Sequence, residues 1–273
     1  MSNTVTRIIS GAVLVLIVAA FMAFGSQGSL FALGIIGLLV TDEILTNFYR
    51  RPRVSVRYVL AQASYAVGYG WVNFFDEGTR SFQVAILAGF VLNLVLWVYL
   101  FLVNSRKDRL SLWLVRASGL VGLLVLIPML CLAYLVHFPE WRLLLGGLLI
   151  LNFMVDTAAF FSGKYFGKRK LWEAVSPKKT VEGLIGGVLV SVLCTSLYWH
   201  HLLKPVNFAI VLVFLILACC AQIGDLVQSK LKRQFQIKDS SSLIPGHGGV
   251  YDRIDSLLFV APYFALLVSV QFH

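Results

Sequence analysis

Residues 206–272, VNFAIVLVFLILACCAQIGDLVQSKLKRQFQIKDSSSLIPGHGGVYDRIDSLLFVAPYFALLVSVQF, hold two apolar runs with a charged island between them. A membrane-spanning helix needs about 20 mostly apolar residues, and the runs 206–228 and 254–272 meet that length. Between them, Gly224–Asp255 gathers Asp225, Asp239, Asp252 and Asp255, four of the 13 acidic residues of the chain, with five of its 23 lysines and arginines. Carboxylates, cations and the pair Gly248-Gly249 held between two spans point to a phosphate-and-metal site at a bilayer surface.

Outward from this island the pattern repeats. Of the 273 residues, 59% are hydrophobic and 13% charged, against about 25% charged in soluble proteins; the mean hydropathy is +0.83. The expected fold class is an all-α polytopic membrane protein, with spans near 8–24, 29–48, 57–75, 83–103, 111–136, 143–162, 181–200, 206–228 and 254–272. The third is the most polar, with Gln62, Ser64, Tyr65, Tyr69 and Asn73. The first follows Arg7 and is expected to stay as a span, since no soluble domain follows it for export. We expect one membrane domain over 1–273, with spans of unassigned role in 1–140 and the catalytic spans and loops in 141–273.

The net charge of +10 does not mark a nucleic-acid surface, because the cations sit in short loops between apolar runs. With the N-terminus inside, inner segments and their edges carry 20 lysines and arginines, among them Arg50, Arg51, Arg53, Arg57, Arg106, Lys107, Arg109 and Arg116, and outer segments carry 3. The positive-inside rule therefore predicts a cytoplasmic N-terminus and an external C-terminus. The polar loops near 163–180 and 229–253 then face the cytoplasm, where nucleotides are. The four cysteines lie within apolar runs without metal spacing and read as small buried residues. His137, His200, His201 and His273 fall at the outer face.

Several residues inside this frame carry chemistry. Asp156 interrupts the apolar run LLILNFMVDTAAFF, and an acid at that depth faces a cavity, an ion-pair partner or a substrate path. On a helix Asp225, Gln228 and Ser229 share a face, as do Asp252 and Asp255. Two acidic helix faces at one membrane level offer the hard oxygen ligands that suit Mg²⁺. Pro245-Gly246-His247-Gly248-Gly249 reads as a turn leading into the last helix, where backbone N–H groups can approach an anion. A further helix start is expected at Ser176-Pro177-Lys178-Lys179-Thr180, with Ser176 as cap and Pro177 at the first helical position. After it, Gly183-x-x-Gly186-Gly187 permits close helix packing.

With these residues laid out, the chain closely resembles the phosphatidate cytidylyltransferases, or CDP-diacylglycerol synthases. The resemblance rests on Ser229, Lys232-Arg233, Lys238-Asp239, Pro245-Gly246-His247-Gly248-Gly249 and Asp252-Arg253-Ile254-Asp255, and upstream on DTAAFFSGKYFGKRKL and VSPKKTVEG. It covers roughly residues 150–260. It implies transfer of CMP from CTP to phosphatidic acid in a bacterial cytoplasmic membrane, with Mg²⁺ and a second metal, K⁺, on Asp225 and Asp252. The implied catalytic residues are Asp225, Asp252, Asp255, Lys232, Arg233, His247 and Arg253. The implied substrate-binding residues are Ser176, Lys178, Lys179, Thr180, Ser229, Lys238, Asp239, Gly248, Gly249 and Asp156.

Three positions depart from the family pattern: Gln228 stands where Glu is usual, Phe160 for Tyr and Val181 for Trp. Gln228 removes a negative charge beside the implied metal. Competing expectations are a CTP-dependent transferase for another lipid phosphate, a cation-coupled transporter using Asp156 and Asp225, and an inactive lipid-binding relative. The Gly-rich spans also allow a homodimer.

Overall fold

The computed structural model describes residues 3–76, 78–102 and 117–272, with the side chains of 3–8, 14 and 15 outside the description. Arg106, Lys107, Arg109, Arg116, His273, the Arg7 side chain and the first residues of the expected span 111–136 therefore lie outside the described residues.

Among the described residues, nine long helices follow in order: α1 (Asn3–Ala23), α2 (Gly25–Glu43), α3 (Val56–Phe74), α4 (Arg80–Leu102), α5 (Val121–Val136), α6 (Trp141–Phe166), α7 (Val181–Leu202), α8 (Phe208–Gln234) and α9 (Tyr251–Phe272). Helix α2 runs on into a π-helical turn, Ile44–Phe48. Among the described residues, seven helices are long and apolar enough to cross a membrane: α2 with its π turn, α4, α5 with the 3-10 turn before it, and α6 to α9. The chain is thus an all-α polytopic membrane protein.

Helix α3 has the length of a span but too many polar groups to count among the seven. Its polar residues recur at helical spacing and bond the backbone of α2: Gln62 Nε2 donates to Leu38 O at 3.2 Å, Tyr65 OH to Leu33 O at 3.4 Å, and Tyr69 OH to Leu30 O at 2.9 Å. Such bonds join helices where apolar surroundings supply no other drive to associate. Helix α5, VGLLVLIPMLCLAYLV, is apolar all round, the pattern of a helix enclosed on every side. Twelve of its 16 residues are buried, and it packs on α2, α3, α4 and α9. Trp199 is fully buried among Phe214, Phe264 and Phe272, so it packs the interior rather than the interface. Helices α6 and α7 form the tightest pair, with the Gly183/Gly187 face of α7 against Val155 and Ala159.

Contacts between elements gather at two ends of the bundle. At one end, Lys230 reaches the C-terminal carbonyls of α4, Lys179 meets Asp225, Ser10 of α1 meets His247, and Glu43 of α2 meets Ser240. At the other end, Arg142 donates to Met22 O at 3.2 Å and His137 contacts Asn73 at 3.2 Å.

One local expectation is overturned. Residues Ser176–Thr180 are not a helix start but a strand, β2, paired antiparallel with β1 (Lys170–Trp172) in the register Lys170↔Thr180. The helix begins at Val181, where Thr180 Oγ1 accepts from Gly183 N at 3.1 Å. The Ser-Pro cap signal is local, whereas the hairpin is held by packing: Val175 is buried, Leu171 lies against the core, and Trp172 stacks on Phe101. Pro177 costs nothing there, since an edge strand has N–H groups to spare.

Candidate active site

The ends of α6, α8 and α9 and strand β2 bring four carboxylates and two lysines together. On α8, Asp225 sits one turn before Ser229, whose hydroxyl stands 3.5 Å from Asp225 Oδ1. The strand geometry of β2 sends successive side chains to opposite faces. Lys179 therefore turns inward, where its Nζ contacts Asp225 Oδ2 and donates to Gln222 Oε1 at 2.9 Å. Lys178 turns outward and is exposed. The two lysines expected at one helix terminus are thus separated, and only Lys179 joins the carboxylates.

Asp156, on α6, is open at the surface and within electrostatic reach of Asp225, Lys179 and Arg253. Asp255 is within reach of Asp225, Asp156 and Lys232, and accepts from Ser256 N at 2.7 Å. Three carboxylates thus lie within electrostatic reach of one another, and Lys179 is in direct contact with one of them, Asp225.

Asp252 lies beside this group in a different state. Its Oδ1 accepts from Lys232 Nζ at 2.9 Å and Gln228 Nε2 at 3.2 Å. Its Oδ2 accepts from Ser240 N at 2.7 Å and Gly249 N at 3.0 Å, and stands 2.9 Å from Ser240 Oγ, whose single hydrogen it shares with Glu43. The side chains of Lys232 and Asp252 are 16% and 5% exposed. Four donors and a share of the Ser240 hydroxyl leave Asp252 saturated by the protein, so it enters a metal's shell only by giving up one of them. Its bond to Gly249 N caps the first turn of α9 and fixes the Gly248-Gly249 turn, which Ile244 N closes by donating to Gly248 O at 2.8 Å.

Gln228 is 1% exposed, and its Oε1 is buried with no hydrogen-bond partner. In this chain the amide donates to Asp252 where a glutamate would face it with a second negative charge. His247 is tied to α1, with Nδ1 2.7 Å from Ser10 Oγ, and its carbonyl accepts from Arg253 at 2.6 Å. Ser176, Arg233, Lys238 and Asp239 lie around the rim; the last three are exposed on and after the end of α8.

Among the described residues, no three His, Cys, Asp or Glu side chains stand close enough to hold a metal by themselves. Hard oxygens are nevertheless near one another: Asp156, Asp225 and Asp255 lie within electrostatic reach, and Gln228, one turn after Asp225 on α8, has a buried Oε1 without a partner. That set fits Mg²⁺, which dehydrates reluctantly and is commonly held by one or two carboxylates plus substrate phosphate.

Three contributors were not singled out from the sequence. Glu43, Ser240 and Lys230 are 3%, 0% and 2% exposed. Lys230 donates to Tyr99 O at 3.0 Å and Leu100 O at 2.9 Å, bringing a cation to the carbonyl end of α4. The signal for Glu43 was present: an acid inside an apolar run.

A bundle of apolar helices with carboxylates and lysines gathered among them defines a polytopic membrane protein with a charged cluster within its helical bundle. The family model of the cytidylyltransferases matches residues 5–271, and the chain belongs to that family. Over 116 residues it is 43% identical to a Bacillus subtilis (strain 168) protein named phosphatidate cytidylyltransferase, a stretch covering 42% of this chain and 43% of that one. Proteins of the same name match over 120 residues from Staphylococcus epidermidis (strain ATCC 35984) at 41% identity and Staphylococcus aureus (strain COL) at 43%. Each of those alignments spans 44% of this chain and 46% of the relative, so the match covers less than half the length of these relatives.

Proposed function

We propose that this chain transfers CMP from CTP to phosphatidic acid, releasing pyrophosphate and forming CDP-diacylglycerol. The observation that carries the reading is the pair of lysine–carboxylate contacts, Lys179–Asp225 and Lys232–Asp252, on adjoining elements at one end of the bundle. The names of the relatives point to the same reaction. An oxygen of the lipid phosphate attacks the α-phosphorus of CTP, and the bond from that phosphorus to the bridging oxygen of the β-phosphate breaks. The nucleophile is already ionised, so no general base is required. The barrier is charge crowding, and positioned cations lower it.

In this reading Lys179 and Lys232 leave their carboxylates to meet phosphate oxygens as substrates enter, with Ser229 and the Gly248-Gly249 backbone adding neutral donors. Arg233, Lys238, Lys178 and Arg253 at the rim draw in the anionic substrates. Asp225, with Asp255 or Asp156 and Gln228 Oε1, would hold Mg²⁺; Asp252 and K⁺ would join only after Asp252 releases a donor. When bound, Mg²⁺ would neutralise phosphate oxygens at the reacting centre. The charge alternation supports a cytoplasmic site in a bacterial inner membrane, with the N-terminus inside and the C-terminus outside. A homodimer is compatible with the small-residue helix faces.

The test is pyrophosphate release by purified protein given Mg²⁺, CTP and phosphatidic acid. Asp225→Asn is expected to reduce it at least about 100-fold. Turnover only with another lipid phosphate would move the acceptor, and full turnover by Asp225→Asn would remove Asp225 from the chemistry.

A further inference from the structure

The carboxylate of Glu43 lies where the first half of the chain touches the site, and everything around it donates. Oε1 accepts from Ser241 Oγ at 2.7 Å and Val250 N at 2.8 Å; Oε2 accepts from Ser240 Oγ and Tyr251 N, both at 2.9 Å. No cation is paired with Glu43 among the described residues; its oxygens are met by Ser241 Oγ, by Val250 N and Tyr251 N at the N-terminus of α9, and by the Ser240 hydroxyl. The same Ser240 hydroxyl stands 2.9 Å from Asp252 Oδ2 and shares its one hydrogen between the two carboxylates, while Ser240 N donates to Asp252 Oδ2 at 2.7 Å, so this one residue connects Glu43 and Asp252. The packing is tight on the side of Gly249. A Cβ on Gly249 would fall 2.0 Å from Ser240 Oγ and 2.4 Å from Glu43 Oε2. Directly after Glu43 the helix widens into the π turn Ile44–Phe48, a departure often found beside functional sites.

We propose that Glu43 is a positioning residue for the transfer reaction: from α2 it caps the start of α9 and, through Ser240, fixes the Asp252 carboxylate that Lys232 pairs with. This rests on the cytidylyltransferase reading. The bound geometry is asymmetric in a way that matters. Glu43 reaches the Ser240-Ser241 segment, the Gly249–Tyr251 turn and, through one hydroxyl, Asp252, and it reaches no residue of the Asp225 group. Its loss should loosen Asp252 and the α9 cap while leaving Asp225, Lys179 and the rim cations in place. The expected signature is a fall in kcat with little change in the KM for CTP, since positioning is lost and binding is kept.

The test uses the full chain in lipid nanodiscs. Glu43→Gln keeps size but sets an amide N–H₂ against two of the four donors. Its kcat is expected to fall about 10- to 100-fold, the usual range for a supporting partner, with the KM for CTP within about threefold. Ser240→Ala should give a similar loss, and the double variant should be hardly worse than either single one, because both act on the same carboxylate. A kcat for Glu43→Gln within twofold of wild type overturns the proposal, and so do losses that multiply in the double variant. If Glu43→Gln does not fold, Ser240→Ala alone decides, and unchanged kcat there overturns the link through Ser240. If wild type itself transfers no CMP, the cytidylyltransferase reading fails while hydrogen exchange still tests the positioning. Amide exchange at Val250 and Tyr251 should quicken about tenfold or more in Glu43→Gln, and unchanged exchange overturns the cap.

Discussion

The Lys232–Asp252 pair offers the sharpest perturbation. Lys232→Met keeps the length of the side chain and removes its charge, leaving Asp252 with Gln228 Nε2, Ser240 N, Gly249 N and the Ser240 hydroxyl it shares with Glu43. Stripping one partner from a buried pair costs about 3–5 kcal/mol. The four bonds that remain still favour the carboxylate, so the cost should lie at the low end, near 3 kcal/mol. For a chain of this size that corresponds to a fall of roughly 6–12 °C in Tm, measurable by thermal unfolding in detergent. CMP transfer, followed with labelled CTP, should fall about 100- to 1,000-fold, the range for losing one group that meets developing charge.

The second variant separates charge balance from chemistry. In Lys232→Met with Asp252→Asn, the new amide can turn its oxygen to Ser240 N and Gly249 N. Its N–H₂ then faces Gln228, whose Oε1 has no partner in the native chain. Most of the lost stability should return, while activity stays at the level of the single variant. If Lys232→Met melts within about 2 °C of wild type, or if the double variant is less stable still, the pair does not hold this corner of the site and the reasoning is wrong.

Other outcomes follow from the same geometry. Gln228→Glu would put a second carboxylate where the amide now donates to Asp252 at 3.2 Å, so Tm should drop without Mg²⁺ and recover when Mg²⁺ is added; a Tm indifferent to Mg²⁺ would refute this. Lys230→Met strands two carbonyls at the C-terminus of α4 and should cost about 3 kcal/mol, read as a lower Tm with the KM for CTP unchanged. Thr180→Ala removes the cap of α7 and should cost about 1 kcal/mol, again seen in Tm.

The helices were legible because membrane spans announce themselves by apolar length, and the polar third span was readable as unusual. What those polar groups do was not readable, since Gln62, Tyr65 and Tyr69 bond carbonyls of α2, which no side-chain pattern reveals. The carboxylates of the island and Asp156 were visible for the converse reason: charge in apolar surroundings is rare. Lys178 and Lys179 were seen but wrongly grouped, because the local Ser-Pro signal favoured a helix start and the packing of Val175 and Trp172 favoured a strand. Glu43 stood in the open as an intramembrane acid, but its donors lie some 200 positions away, at Ser240, Ser241, Val250 and Tyr251.

That separation has a consequence for how the molecule is made. Glu43 and Tyr251 lie 208 positions apart, and a ribosome adding about 5–20 residues per second needs roughly 10–40 s to travel between them. During that interval α2 is already synthesised, while the groups that will solvate its acid do not yet exist. Asn93 is in the same position, since its amide bonds the carbonyl of Phe259, 166 residues later. The early helices must therefore wait in the bilayer, or beside the insertion machinery, with polar groups provisionally satisfied by water or by one another. Helix α9 then arrives as a keystone: its insertion relieves Glu43 and Asn93 and brings Asp252 and Asp255 to the candidate site, so no nascent chain carries the completed site before α9 is in place.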